Sequence, residues 1–368
     1  MTEKKDNILN ILRLINTEGI GPVTFFKLLQ KHKSLENVIE VVKAEKKFNL
    51  FSLSEAQKIL QKAQEQNVEL ISYQDSKYPQ KLLELNDAPP ILYVKGDSSL
   101  LNHPLSVSIV GARNASINGR KTASRIAYDL TNNDILVISG MARGIDSAAH
   151  KGAMYARNQK GATLAVLGTG IDIPYPKENT DLYHQISEQG VLISELPFST
   201  EPQAQNFPRR NRLVAALSSG TLVVEATLNS GSLITARLAL EQGKDIFAVP
   251  GSPSDTRALG PNRLIKEGAV LIENADDILE NLTQTHHQQI TEYIDKLQKT
   301  SDIPIKEENE ETPQSIDLTD YLSFDGVFID ELIRASGLEA SEVSVRLLEL
   351  EMSGKIERQP GNKVALIK

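Results

Sequence analysis

Among its 368 residues the chain has no cysteine, which excludes disulfides, thiol nucleophiles and thiolate metal sites and suits a reducing compartment. Nowhere do 18 uncharged apolar residues run together, and no long apolar stretch follows Met1-Thr2-Glu3-Lys4-Lys5-Asp6. Neither a membrane partner nor a leader is expected, and the location read from this is cytoplasmic. Six scattered histidines offer no ligand spacing, so no metal site is expected. The dinucleotide fingerprint Gly-x-Gly-x-x-Gly is missing too. Its nearest match, Gly168-Thr169-Gly170-Ile171-Asp172-Ile173, has isoleucine at the third glycine and Pro174 directly after it, so no nicotinamide or other cofactor is expected.

The hydrophobic content of 40% is enough for a real core, and the length leaves room for two or three domains. The net charge of −8 is unevenly spread. Residues 104–275 carry 17 Lys/Arg against 15 Asp/Glu, whereas residues 284–320 carry 3 against 9. A near-neutral core with an acidic segment behind it can still present a basic groove.

Residues 1–72 read as a small helical domain: Ile8, Ile11 and Leu12 recur at helical spacing, and Phe25, Leu28 and Leu29 follow a Gly19-Ile20-Gly21-Pro22 turn. That turn resembles half of a helix-hairpin-helix, where glycine amides approach a phosphate; an ordinary inter-helix turn is the alternative. Residues 73–283 begin with a proline-punctuated connection through Tyr78 and Pro89-Pro90 to a short strand ending near Gly96. Apolar strands then alternate with helical patterns: Val107–Val110, Ile135–Ser139, Thr163–Leu167, Val191–Ser194, Thr221–Glu225, Asp245–Val249 and Val270–Leu271. The pattern predicts an α/β class with an extended, Rossmann-like parallel sheet. Residues 284–318 are polar and acidic, as a flexible linker would be. In residues 319–368, helices over Val327–Ala335 and Ser341–Met352 and strands over Lys355–Gln359 and Lys363–Ile367 spell a winged helix.

Ligands of an open parallel sheet sit beyond the carboxyl ends of its strands. Two loops there carry glycine and arginine: Gly111-Ala112-Arg113, and Ser139-Gly140-Met141-Ala142-Arg143-Gly144. They describe an anion-binding rim, and Lys177 joins them beside another strand end. Asn206-Phe207-Pro208-Arg209-Arg210-Asn211-Arg212, expected just before a helix, packs three guanidinium groups around an aromatic ring. Arginine forks fit phosphate oxygens and a ring stacks on an unpaired base, which is how single strands are held without sequence readout; arginines paired with acidic neighbours are the alternative. Ser230-Gly231-Ser232 opens a further helix whose amides and hydroxyls suit either a phosphate or simple capping. Asp146 and His150 could form an acid and base pair or fix a loop. The would-be recognition helix carries Glu342, Glu349 and Glu351 against Arg346, so a duplex backbone would be repelled and protein binding is the better reading.

Five ordered motifs span the α/β segment: Ile109-Val110-Gly111-Ala112-Arg113, Ser139 to Asp146, Tyr175-Pro176-Lys177-Glu178-Asn179, Phe207 to Arg212 and Asn229-Ser230-Gly231-Ser232. Together they resemble the DNA-processing protein A family (DprA, also called Smf), bacterial proteins that receive incoming single-stranded DNA during natural transformation. The flanking sterile-alpha-motif-like or helix-hairpin-helix front end and the winged helix agree. The resemblance implies a non-enzymatic, cytoplasmic homodimer that binds single-stranded DNA without sequence preference and delivers it to a RecA-type recombinase. It implies DNA contacts at Gly111, Arg113, Ser139, Gly140, Arg143, Gly144, Lys177, Phe207, Arg209, Arg210, Asn211, Arg212, Ser230, Gly231 and Ser232, and a dimer face near Leu240 and Ile265. Relatives usually have serine where this chain has Ala112, so one hydroxyl is missing here.

A second class stays open beside it. Hydrolases of nucleoside monophosphates share the broad superfamily and would need a catalytic glutamate such as Glu225. Their Pro-Gly-Gly-x-Gly-Thr-x-x-Glu pattern is replaced here by Leu217-Ser218-Ser219-Gly220-Thr221-Leu222-Val223-Val224-Glu225, with serines at the glycine pair.

Overall fold

The computed structural model describes residues 2–45, 47–156, 163–282, 317–323, 326–359 and 361–367. The acidic segment predicted as a linker lies almost wholly outside these residues.

Four helices open the chain: α1 (Thr2–Ile15), α2 (Pro22–His32), α3 (Leu35–Ala44) and α4 (Leu53–Glu65). Their apolar faces meet at Ile11, Leu12, Phe25, Val38 and Val42, all buried. The Gly19-Ile20-Gly21-Pro22 turn joins α1 to α2, with Gly19 at a φ of 83° and Pro22 in the first helical turn, where its missing N–H costs nothing.

Then comes a nine-stranded sheet. In chain order its strands are β1 (Glu69–Ser72), β2 (Ile91–Gly96), β3 (Ser106–Val110), β4 (Leu136–Ser139), β5 (Thr163–Val166), β6 (Val191–Ser194), β7 (Gly220–Val223), β8 (Asp245–Ala248) and β9 (Val270–Leu271), and in space they lie β1-β2-β6-β5-β4-β3-β7-β8-β9. The seven from β6 to β9 are parallel, while β2 and β1 run antiparallel at one edge. All seven predicted parallel strands are present. The reading of residues 1–72 as helical missed β1, whose four residues are too few to show a period and pair with β2 in the sheet.

The crossover helices are α5 (Ile117–Asn132), α6 (Ile145–Met154), α7 (Thr180–Gln189), α8 (Asn206–Leu217), α9 (Gly231–Glu241), α10 (Leu259–Lys266) and α11 (Ala275–Asn281). They cover both faces, so residues such as Val107, Ile109, Val137, Ile193, Leu222 and Phe247 are fully buried, as strands of near-continuous apolar sequence require. From β3 the chain winds toward β6 on one side and later returns to place β7 on the other. The switch point thus falls between β3 and β7. The winged helix follows: strand Val327–Phe328, helices Ile329–Ser336 and Ala340–Met352, and strands Ile356–Gln359 and Lys363–Leu366, with the first of these replacing the predicted start of a helix.

Leu240, a candidate for the dimer face, is 5% exposed and lies in the chain's own core with Val214, Ala236 and Leu264, so it offers no surface to a partner. Ile265 packs against the same cluster but stays partly exposed. Nearby, Leu228, Leu259 and Leu271 are exposed.

Asp146 and His150 do not form the acid and base pair considered from their spacing. His150 is fully buried; its Nδ1 lies 2.7 Å from Thr163 Oγ1, whose hydroxyl donates to Val137 O, so Nδ1 carries the proton. Burial, with the Arg210 charge adding, pushes the imidazole down to about 3. In the folded state it stays neutral down to that pH, whereas in the unfolded chain it takes a proton below about 6.5, so stability falls as pH drops through that window. His150→Gln should remove close to one proton from the pH dependence: in urea unfolding at pH 6.0 and 4.5 the parent chain should lose about 2 kcal/mol more than the variant. Equal losses would contradict a buried neutral histidine.

Candidate nucleic-acid interface

The rim is built from loops that leave the carboxyl ends of β3, β4, β5 and β7. After β3, Ala112 N donates to Glu225 O at 2.7 Å, and Ala112 O accepts from Ile145 N at 3.2 Å. Three loops are thus joined through main chain. Gly111 has no room for a side chain, since a Cβ there would sit 2.5 Å from Ile145 Cγ1. Gly144, at a φ of 76°, would place one 2.2 Å from Ala112 O. Ser139 is likewise structural: it is buried, and its Oγ donates to Ile109 O at 2.7 Å.

The basic motif lies inside α8 and not ahead of it, with Pro208 accommodated in the first turn. A helix turns about 100° per residue, so neighbouring arginines face different ways. Arg209 points to solvent; Arg210 and Arg212 are 6% and 7% exposed. The Arg210 guanidinium donates to Gly140 O and Val166 O, the carbonyls at the ends of β4 and β5, while its Nε donates to Asn211 Oδ1 at 3.2 Å. Its counter-charge is Asp146, whose carboxylate accepts from Gly140 N at 3.1 Å and Ala142 N at 3.3 Å. Burial pulls Arg210 down to about 10, against the opposing charge of Asp146; the carboxyl of Asp146 is raised by the same burial. Arg212 lies 2.8 Å from Asp87 and 2.5 Å from Glu195. Of the three arginines expected on phosphate, two are therefore internal, as their pairing with buried acceptors and carboxylates explains.

What remains exposed forms a compact set. Arg113 lies over the half-buried Phe207 ring, 5.7 Å from its centre, and Tyr175 lies on Phe207 with centres 5.4 Å apart and planes tilted by 33°. Gly168 lies directly against Phe207; a Cβ there would be 2.7 Å from the ring. Asn179 Nδ2 donates to Met141 O at 2.8 Å and Ala142 O at 3.2 Å, which ties the Lys177 loop to the Arg143 loop. Arg143 and Lys177 are exposed, and Arg143 meets Glu178 at 3.5 Å. Tyr175 was absent from the expected set, although its place in the Tyr-Pro-x-x-Asn motif was the signal that could have found it.

The remaining expected residues act locally. Ser230 caps α9, its Oγ accepting from Ser232 N and lying 2.8 Å from Ser232 Oγ, while Gly231 is exposed. Glu225 accepts from Ser116 N at 2.9 Å through one oxygen and from Ser116 Oγ at 2.6 Å through the other. It anchors the start of α5, where a carboxylate favours the positive helix end, and both oxygens are engaged. Among the described residues no three His, Asp or Glu side chains group as metal ligands.

Comparison with known proteins gives matches to three families: DNA recombination-mediator protein A over residues 69–283, the DprA-like N-terminal HHH domain over 5–48 and the DprA winged helix domain over 305–362. Protein Smf of Escherichia coli is 37% identical over 301 residues, covering 82% of this chain and 78% of the other. The X-ray structure of DNA processing protein A from Streptococcus pneumoniae superposes with a TM-score of 0.63 at 32% identity, covering 76% of this chain and 98% of that one. A structure of the Helicobacter pylori protein, which describes its single-stranded DNA binding mode, superposes with a TM-score of 0.53 at 30% identity over 59% of this chain and 98% of that one.

Arg113→Ala and Arg210→Ala should separate cleanly. By urea unfolding followed by circular dichroism, removing exposed Arg113 should change stability by less than about 0.5 kcal/mol. Removing Arg210 leaves a buried carboxylate uncompensated and should cost about 3–5 kcal/mol. Similar effects for the two would contradict the assignment.

Proposed function

The chain belongs to the DNA recombination-mediator protein A family, and on that premise we propose that it binds single-stranded DNA without sequence preference along the carboxyl edge of its sheet. The observation that carries this reading is Arg113 over the Phe207 ring with Tyr175 lying on that ring, the exposed Lys177 and Arg143 on the adjoining loops, and the exposed Arg209 two residues on from Phe207 in α8. Cations tracking a backbone beside stacking rings suit an unpaired strand, whose bases are free to leave their neighbours. A base enters by taking the place of Arg113 over Phe207, which frees that guanidinium for the adjacent phosphate.

The protein is a binder in this proposal, not a hydrolase. Engagement of both Glu225 oxygens by Ser116 favours the structural role for that carboxylate. Delivery of the strand to a RecA-type recombinase in the cytoplasm, in natural transformation or recombination, completes the proposal. So does homodimerisation, with Ile265 and the exposed Leu259 and Leu271 as the apolar face; two grooves on one strand raise affinity through effective concentration.

Titration of labelled oligo-dT over a salt series tests it. Each phosphate neutralised on a single strand adds about 0.7 to the log–log slope, so four contacts give about 3, and Arg113→Ala should lower it by about 0.7. Duplex of equal length should compete poorly. Absence of oligo-dT binding, or displacement by a nucleoside monophosphate with release of free base, would overturn the reading in favour of a hydrolase.

A further inference from the structure

The winged helix is seated on the α/β domain beside the rim. Glu331 accepts from Lys121 Nζ through both oxygens at 2.7 Å, and Asn118 Nδ2 donates to Ser323 Oγ at 2.9 Å. Arg257 donates to Asp320 O at 3.1 Å and Leu322 O at 2.7 Å, and the Arg120 guanidinium lies 5.2 Å from the centre of the Tyr321 ring. One apolar side chain, Ile117, inserts into the winged-helix core. The contact is otherwise polar, like those between domains that separate and rejoin.

The cations under this cover adjoin the rim. Helix α5 begins at Ile117, four residues after Arg113, and its first two turns supply Asn118, Arg120 and Lys121. Arg120 is partly desolvated, which lowers its pKa, while Tyr321 and Glu225 act to raise it and the like charge of Arg257 to lower it. The winged helix provides what a nucleic acid would: a carboxylate in place of a phosphate for Lys121 and an aromatic face for Arg120, while Arg257, whose Nε and Nη2 donate to the Asp255 carboxylate at 3.0 and 3.1 Å, also donates to its carbonyls. Its own charge has the matching sign, with ten Asp/Glu against six Lys/Arg in residues 317–368.

We propose that Arg120 and Lys121 form a second phosphate-contacting surface for the same strand, continuous with the rim at Arg113, and that the docked winged helix blocks it by engaging both side chains. The proposal rests on the single-strand reading above. Binding along the full path requires the winged helix to leave α5. Being part of the same chain, it returns when the strand is handed on.

Because the chain lacks cysteine, the contact can be locked in the full-length protein by Asn118→Cys with Ser323→Cys. Oligo-dT of a length that spans both surfaces is titrated over a salt series against the oxidised and the reduced double variant, and against Glu331→Gln, which loosens the contact without touching a proposed DNA ligand. The oxidised form should bind three- to tenfold more weakly than the reduced form, with a log–log salt slope lower by about 1 to 2, and Glu331→Gln should bind at least as tightly as the parent chain. Equal affinity and slope in the oxidised and reduced forms would overturn the cover while leaving the rim intact. A pair that does not cross-link under oxidant, or an opening that strengthens duplex binding alone, would also overturn it. If neither form binds oligo-dT, the single-strand reading itself fails.

Discussion

One buried guanidinium holds the rim in shape. Arg210 reaches from α8 to the carbonyls that end β4 and β5, with Asp146 on the far side of Gly140 binding the amides of the same loop. Two strand ends and two helices are thereby fixed to one another in a region where strands have stopped pairing and loops would otherwise have no internal partners. Placing a charge there is costly unless every donor finds an acceptor, and here the acceptors are the loop carbonyls themselves. Gly140 follows from this: a Cβ would lie 2.5 Å from the guanidinium.

The fold was legible wherever a signal repeats. Seven parallel strands stand out because each is a short, continuous apolar run, and the winged helix because helices precede a hairpin with Pro360-Gly361-Asn362 between its strands. Strand β1 carries no such signal, being four residues that acquire meaning only when paired with β2. At the site, the composition of Phe207 to Arg212 showed that charge and an aromatic ring belong there, but not which way each side chain points. That depends on where α8 begins. With the helix starting at Asn206, Arg209 faces water while Arg210 and Arg212 face buried acceptors, and three equal residues divide into one surface cation and two internal braces. Leu240 shows the same limit: its helix was expected near a surface, yet the residue faces the chain's own core.

The three matched segments are not independent beads. Ile8, Phe25 and Val38 share one apolar cluster with Tyr93, Tyr183 and Leu192, so the helical front end is packed onto the antiparallel edge of the sheet. Lys62 of α4 reinforces this, lying 2.8 Å from Asp172 and 2.9 Å from Ser199. The winged helix meets the sheet domain mainly through charges and hydrogen bonds around one isoleucine. Front and back ends are thus attached by different physics: the first by buried apolar area, which salt leaves intact, the second by exposed charges, which salt weakens.

Position 112 is held on both sides by its backbone, the N–H by Glu225 O and the carbonyl by Ile145 N. Those bonds are made by main chain alone, while the small Ala112 side chain packs against the apolar cluster that holds Ile109 and Ile145. The glycines at the contact, Gly111 and Gly144, are fixed by crowding, whereas the bonds at position 112 use backbone groups that serine and alanine share. A lineage that makes this exchange gives up one hydroxyl at the rim and keeps its architecture. Divergence at such a motif therefore reports on what the loop touches, and says little about whether the loop is still there.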